Sequence, residues 1–426
     1  MSAATKETTQ PCPQCGAEIR ADGRFTVWCA ACDWNVDPTR PEERHGRLER
    51  TRRALARRHG EKLLAEVTAG GTLQARRDAP ALLAYAIALA VHGMTLVLAL
   101  AGVWFVVRGW GGFGMVPGLF LLLLAWALRP RLNRLPDDAP LLRRAEAPEL
   151  FALLDEVARV AGTRGVDVIA VGAELNASVT TYGVRGHRLL TLGLPLWEIL
   201  TPQQRVALLG HELGHYGNGD TRHGLVVATA FRSLTAWRYY FTPIADPTPM
   251  QMVVNLVCFV PSLLVQGVLL LLDHLTLRTT QRAEYLADRV ATRAGSIEAA
   301  VGLMDRLLVV DSAAMTLRRE ANQAGLGGPR RADDGTDGLW ERRAAHMASI
   351  PEHEYERQRR AGALRGHSVD ATHPPTHLRR ACLVSGAATP AAVVTDADRE
   401  LRIAAELAGA RGRVARQILR NGFGNG

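Results

Sequence analysis

The chain has 426 residues, 47% of them hydrophobic and 22% charged, with a formal net charge of +9. That balance excludes wholesale disorder, and at roughly 150 residues per domain the length suits two or three domains. The mean hydropathy of -0.01 is that of an ordinary soluble protein, but it averages two kinds of segment. Residues 79–107, 109–128 and 247–272 are runs of 29, 20 and 26 positions without Asp, Glu, Lys or Arg, long enough for a bilayer core about 30 Å thick. Of the 51 basic residues only Lys6 and Lys62 are lysines, and many of the arginines flank these apolar runs. Membrane-side loops account for such placement better than nucleic acid does.

Residues 1–37 form the first unit, and MSAATKETTQ lacks the apolar core of a signal peptide. Two CxxC pairs, Cys12-Pro13-Gln14-Cys15 and Cys29-Ala30-Ala31-Cys32, are separated by thirteen residues. Two such knuckles can set four thiolates around one structural zinc ion. The metal supplies folding energy that so short a segment cannot draw from a core. Short strands around Trp28 and Trp34 would complete a zinc ribbon. Lacking a dense basic and aromatic surface, the ribbon is expected to dock a protein partner or to serve structure, not to bind nucleic acid.

Residues 38–77 are dense in Arg and Glu, with Leu48, Leu55, Leu63 and Leu64 interspersed. They read as a basic helical linker ending near Gly70-Gly71. Residues 78–130 read as a transmembrane hairpin, 81–107 and 113–128, turning at Arg108 to Gly112. Arg76 and Arg77 precede it, and Arg129, Arg131, Arg134, Arg143 and Arg144 follow it. By the positive-inside rule both flanks are cytoplasmic.

Residues 131–426 change character. A helix is expected over 148–161, strands over 166–170, 178–182 and 188–192, and a helix over 201–216 starting at Thr201-Pro202. Residues 224–245 are a weak span candidate, because Arg232 and Arg238 interrupt them, and 247–272 a strong one. The two are expected to form a second membrane hairpin, 224–272, within this unit. One long helix is expected over 276–310, a mobile loop over 321–339 and an amphipathic Arg-rich helix over 395–419.

Residues 211–215 read His-Glu-Leu-Gly-His. On a helix His211 and His215, four apart, share a face and can ligate one zinc ion. Glu212 beside them can polarise water and move its proton. Glu284 and Asp288, also four apart, lie in Gln-Arg-Ala-Glu-Tyr-Leu-Ala-Asp-Arg at 281–289. One of these carboxylates is expected to be the third ligand and the other to orient a ligating histidine.

With these motifs in this order, residues 80–383 resemble the HtpX-type membrane zinc endopeptidases. These are relatives of the CAAX prenyl proteases and of the mitochondrial Oma-type proteases. The resemblance implies a mainly α-helical, membrane-integral, gluzincin-type metalloprotease with a small β-sheet at the active site, here preceded by the four-Cys zinc ribbon. It assigns Glu284 as the zinc ligand. Asp288 and, in HELGHYGNGD, Asp220 take places near the histidines. It also implies that Asn176 and Ala177 begin an edge strand that binds substrate. In Thr372-His373-Pro374-Pro375-Thr376-His377, it implies that His373 contacts the tetrahedral intermediate. Arg379 or Arg380 aligns with the family's arginine near the site.

The expected protein is therefore a zinc endopeptidase with one catalytic and one structural Zn2+. It is expected in a cell inner or plasma membrane, multi-pass, with N-terminus and active site cytoplasmic. Its expected partners are polypeptide substrate, the lipid bilayer and a protein bound by the ribbon. The rival reading is a catalytically silent membrane scaffold whose ribbon binds a partner.

Overall fold

The computed structural model describes residues 8–38, 54, 58, 60–66, 69, 79–183, 185–217, 220–326, 338–365 and 374–424. Strands β1 (Thr8–Pro11) and β2 (Glu18–Ala21) pair antiparallel, Thr8 opposite Ala21. Between and after them come the two cysteine turns, and Cys12, Ile19 and Cys29 form a small core of their own. The strands expected around Trp28 and Trp34 are not formed: residues 26–29 are irregular, and 30–38 are mostly turns and bends. Asp33 and Asn35 take φ of 59° and 58°, left-handed values that interrupt a strand. The Asn35 side chain holds the turn by donating to the Val27 carbonyl at 2.7 Å.

Two apolar helices follow, α1 (Ala79–Arg108) and α2 (Met115–Ala127), as an antiparallel pair. They cross closely where a side chain on Gly118 would meet the backbone nitrogen of Val106 at 2.7 Å.

The next elements are β3 (Leu141–Leu142), α3 (Pro148–Val160), β4 (Val168–Gly172), β5 (Ala177–Tyr182) and β6 (His187–Gly193). After them come α4 (Leu194–Trp197), α5 (Pro202–Gly217), α6 (Asp220–Tyr240) and α7 (Pro249–Gly295). The chain ends with α8 (Ile297–Leu308), α9 (Val310–Leu326), α10 (Leu339–Ala348), α11 (Glu352–Arg365), α12 (Thr376–Val384) and α13 (Ala397–Asn421). The protein is thus mainly α-helical, with one small mixed sheet of order β3-β4-β6-β5. β4 and β6 run parallel, and β5 lies antiparallel to β6 at the edge. Leu150, Leu154, Ile169, Leu190, Leu209 and Leu303 are among the residues of the core joining α3, the sheet, α5 and α8.

Two expected boundaries shift. The expected helix over 276–310 is broken at Ser296, whose φ is 87° and whose hydroxyl accepts from the Ala299 amide as the cap of α8. In the other direction, the apolar run and the Glu284 motif are one continuous helix, α7, of 47 residues. It starts on a reciprocal cap between Thr248 and Gln251. At 1.5 Å per residue it is about 70 Å long, so it carries the site at one end and an apolar stem at the other. The loop expected over 321–339 is helical to Leu326, and 327–337 lie outside the described residues.

Among the described residues, two helical stretches are long and apolar enough to cross a membrane, Ala79–Arg108 and Pro249–Leu277. Only 17% and 11% of their most apolar windows are buried. Their inner faces meet α6: Ala84, Ala88, Val91, Ala230, Leu234, Trp237, Val265 and Leu272 form one cluster. Arg232 on α6, costly if it faced lipid, is held by Asn133 Oδ1 at 2.6 Å and Thr229 Oγ1 at 3.1 Å.

Candidate metal centre

The site depends on how closely α5 approaches α7. Gly210 and Gly214 on α5 face Ala287, Val290, Ala291 and Ala294 on α7. A Cβ on Gly214 would stand 2.9 Å from the Ala287 Cα, and one on Gly210 2.9 Å from the Ala294 Cβ. Small residues on both helices let the backbones touch, and that contact brings the Glu284 carboxylate to the histidines. Gly214→Ala is expected to force the helices apart, lowering stability by about 1–3 kcal/mol as overpacking does. Metal content and thermal unfolding in detergent measure this; an unchanged midpoint with full zinc would contradict it.

His211, Glu212 and Glu284 are buried. Glu284 Oε2 lies 3.4 Å from His211 Nε2, and Oε1 lies 3.6 Å from His215 Nε2. Two bonds of about 2.1 Å to one tetrahedral zinc ion would set their donor atoms about 3.4 Å apart. The three side chains therefore fit a zinc ion with little movement, and each offers one donor atom within 4.8 Å of the others. His211 Nδ1 stands 3.0 Å from Asp288 Oδ1. Donation there fixes the tautomer and leaves Nε2 facing the donor cluster.

Arg379 closes the site from α12. It donates from Nε to Asp288 Oδ2 at 2.8 Å and from NH2 to Oδ1 at 2.5 Å. Its NH1 lies 3.3 Å from Glu284 Oε2, and its NH2 lies 3.2 Å from the His211 ring nitrogen Nδ1. Burial alone would raise the Asp288 pKa, but the Arg379 charge and hydrogen bonds from Arg379 and His211 bring it down to about 2. Burial and the Arg379 charge disfavour a charged His211, yet its bonds to Asp288 and Glu284 raise it to about 10. Ligation of a metal needs the neutral ring. Glu212, Glu284 and Asp288 all act on the Arg379 charge. Three carboxylates against one guanidinium leave negative charge for a divalent cation to balance.

A second donor set lies in the N-terminal module. Cys12 Sγ is 3.7 Å from Cys32 Sγ, and Cys15 Sγ is 3.6 Å from Cys29 Sγ. Zn–S bonds of about 2.3 Å in a tetrahedron separate the sulfurs by about 3.8 Å. The Gln14 amide donates to Cys12 Sγ at 3.4 Å, support that favours a thiolate. The two clusters are separate and are consistent with one catalytic and one structural zinc site.

Asn176 and Ala177 sit where β5 begins. Asn176 Oδ1 accepts from the Ala177 amide at 2.9 Å, and its carbonyl accepts from Gly193. Asp220 is the first residue of α6, with its side chain outside the described residues, and His373 lies outside them altogether. Of the two candidate arginines, Arg379 faces the site. Arg380 instead binds Asp305 on α8 at 2.7 Å. Tyr216, not among the expected site residues, donates from its hydroxyl to the Thr180 carbonyl at 2.6 Å and ties β5 to the metal helix. Its position next to His215, as a large polar aromatic, was the signal. Gly210 and Gly214 carry a similar signal, because their i, i+4 spacing marks a close helix contact.

His211-Glu212-x-x-His215, with Glu284 and Asp288 from the facing helix, defines an HExxH-type catalytic zinc metalloprotease site. The model of Peptidase family M48 matches residues 144–385, more than half of the chain, and the chain belongs to that family. No curated protein and no solved structure matches it.

Proposed function

We propose that this protein is a membrane-integral zinc endopeptidase of the HtpX type, acting on the cytoplasmic face on membrane-associated or misfolded proteins. The observation that carries the chemistry is the arrangement of His211, His215 and Glu284 donors with Glu212 beside them, within a peptidase domain. The outward apolar surface of α1 and of Pro249–Leu277, with Leu96, Val97, Leu100, Leu256, Val257 and Leu264 exposed, supports residence in a bilayer. The arginines that follow α2 support a cytoplasmic site.

His211, His215 and Glu284 would hold a zinc ion, which when bound would supply Lewis acidity toward the scissile carbonyl and the attacking water. Glu212 takes the proton of the attacking water and passes it to the leaving nitrogen. Asp288 keeps His211 in the ligating tautomer, and Arg379 keeps Asp288 charged. An extended substrate adds to the open edge of β5 through backbone hydrogen bonds, near Asn176 and Ala177. That edge is open along only part of its length, because Asn133 Nδ2 already donates to the Thr181 carbonyl at 3.2 Å.

The test is cleavage of an unfolded polypeptide by the detergent-solubilised full chain. Cleavage should stop on chelation and return with zinc. Absence of cleavage in a chain carrying both zinc ions would favour the scaffold reading.

A further inference from the structure

The N-terminal module is not a free-standing ornament, because the chain's own helices use its face. Arg360 on α11 donates to the Ala30 carbonyl at 2.6 Å and to Asp33 Oδ1 at 2.8 Å, and lies over the Trp28 ring. Ala30 lies between Cys29 and Cys32, and Asp33 directly follows, within the second cysteine knuckle. Arg357, buried and paired with Glu354, donates to the Val36 carbonyl at 2.8 Å. From the module's side, Arg24 reaches Ser349 Oγ at the end of α10 at 3.0 Å, and Phe25 packs on the main core.

From α11 the contacts continue to the site. Arg359, next to Arg360, lies 3.3 Å from Asp305 Oδ1 on α8. Arg380 reaches the same carboxylate from α12, and its neighbour is Arg379. The segment after the module adds a second hold. Leu63 is buried against Tyr285 and Cys382, beside Glu284 and on α12 respectively. Gly60 fits so closely that a Cβ there would stand 3.2 Å from Leu378 Cδ1.

We propose that the four-Cys module is an intramolecular brace for the catalytic centre. Its metal-shaped knuckle fixes α11 through Arg360, and α11 and α12 share Asp305, which keeps Arg379 seated on Asp288 and His211. Arg360 and Asp305 are positioning residues, and loss of the module's metal slackens a site it never touches. A chain of contacts becomes coupling only when a change at one end moves the other.

The experiment uses the full-length protein in detergent with Cys29→Ser, Arg360→Ala and Arg360→Lys. It reads zinc per chain, amide hydrogen exchange across the sequence, and kcat and KM on an unfolded polypeptide. Cys29→Ser should lose one zinc ion of two, speed exchange over 352–365 and 376–384 and leave β4 and β6 protected. Its kcat should fall about 5- to 150-fold, the usual range of intersite coupling, with KM little changed. Arg360→Ala should keep both zinc ions and change exchange and kcat in the same direction, so the idea stays testable if Cys29→Ser does not fold. Arg360→Lys should recover part of the loss. Wild-type exchange over 376–384 in Arg360→Ala, or faster exchange spread equally over the sheet, would overturn the brace. The kcat arm rests on the proposed peptidase function, whereas exchange and zinc content report the brace even in a protein that cleaves nothing.

Discussion

Glu212→Gln is expected to lower kcat/KM for polypeptide cleavage by about 10²–10⁴-fold, the usual contribution of general acid–base catalysis, while the protein keeps two zinc ions. Gln has the shape of Glu but cannot accept the proton. Glu212 lies on α5 between the two ligating histidines in sequence, and the metal donors come from His211, His215 and Glu284. Donor geometry should therefore survive the change. Parallel metal analysis and cleavage assays on wild type and variant check this, and equal cleavage would sink the mechanism. His211→Ala provides the contrast. It should cost the catalytic zinc ion while the cysteine site keeps its own.

Arg379→Met should have the largest effect on stability. It would leave Asp288 buried without its guanidinium, and breaking one side of a buried ion pair costs about 3–5 kcal/mol. Unfolding in detergent, followed by urea or heat, measures the loss. Adding Asp288→Asn should restore much of it, because the stranded charge is then gone. The pH dependence has a definite sign. Burial raises the Asp288 pKa, but the Arg379 charge and hydrogen bonds from Arg379 and His211 more than offset it, taking it from an ordinary 3.8 to about 2. Its contribution is therefore complete above about pH 4 to 5 and fades only as pH falls toward 2. The deficit of Arg379→Met should be constant from pH 6 to pH 9. A deficit that vanished within that window would show that the pair does not hold the site.

Much of the centre was legible in the sequence because its information is local. A helix puts residues four apart on one face whatever surrounds it, so His211 with His215 and Glu284 with Asp288 could be paired from spacing. The choice between Glu284 and Asp288 as ligand was not local. The structure turns Glu284 toward both Nε2 atoms and Asp288 toward His211 Nδ1 and Arg379. The strands at 168–172, 177–182 and 187–193 were legible from short apolar runs between glycine turns. The strand expected at Trp34 is not formed because the left-handed Asp33 and Asn35 on either side interrupt it, and Trp28 lies in irregular backbone.

By itself, the sequence determined the chemical vocabulary of this protein: two CxxC pairs, a zincin helix, two facing carboxylates and the long apolar runs. Those follow from residue type and short spacing. Tertiary structure decided which arginine enters the site, how near α7 comes to α5, and what the N-terminal module leans on. Arg379 and Arg380 are neighbours in sequence, yet one meets Asp288 and the other Asp305. Helix rotation separates adjacent side chains by about 100°, and only packing against α7 and α8 fixes which of the two faces the metal donors.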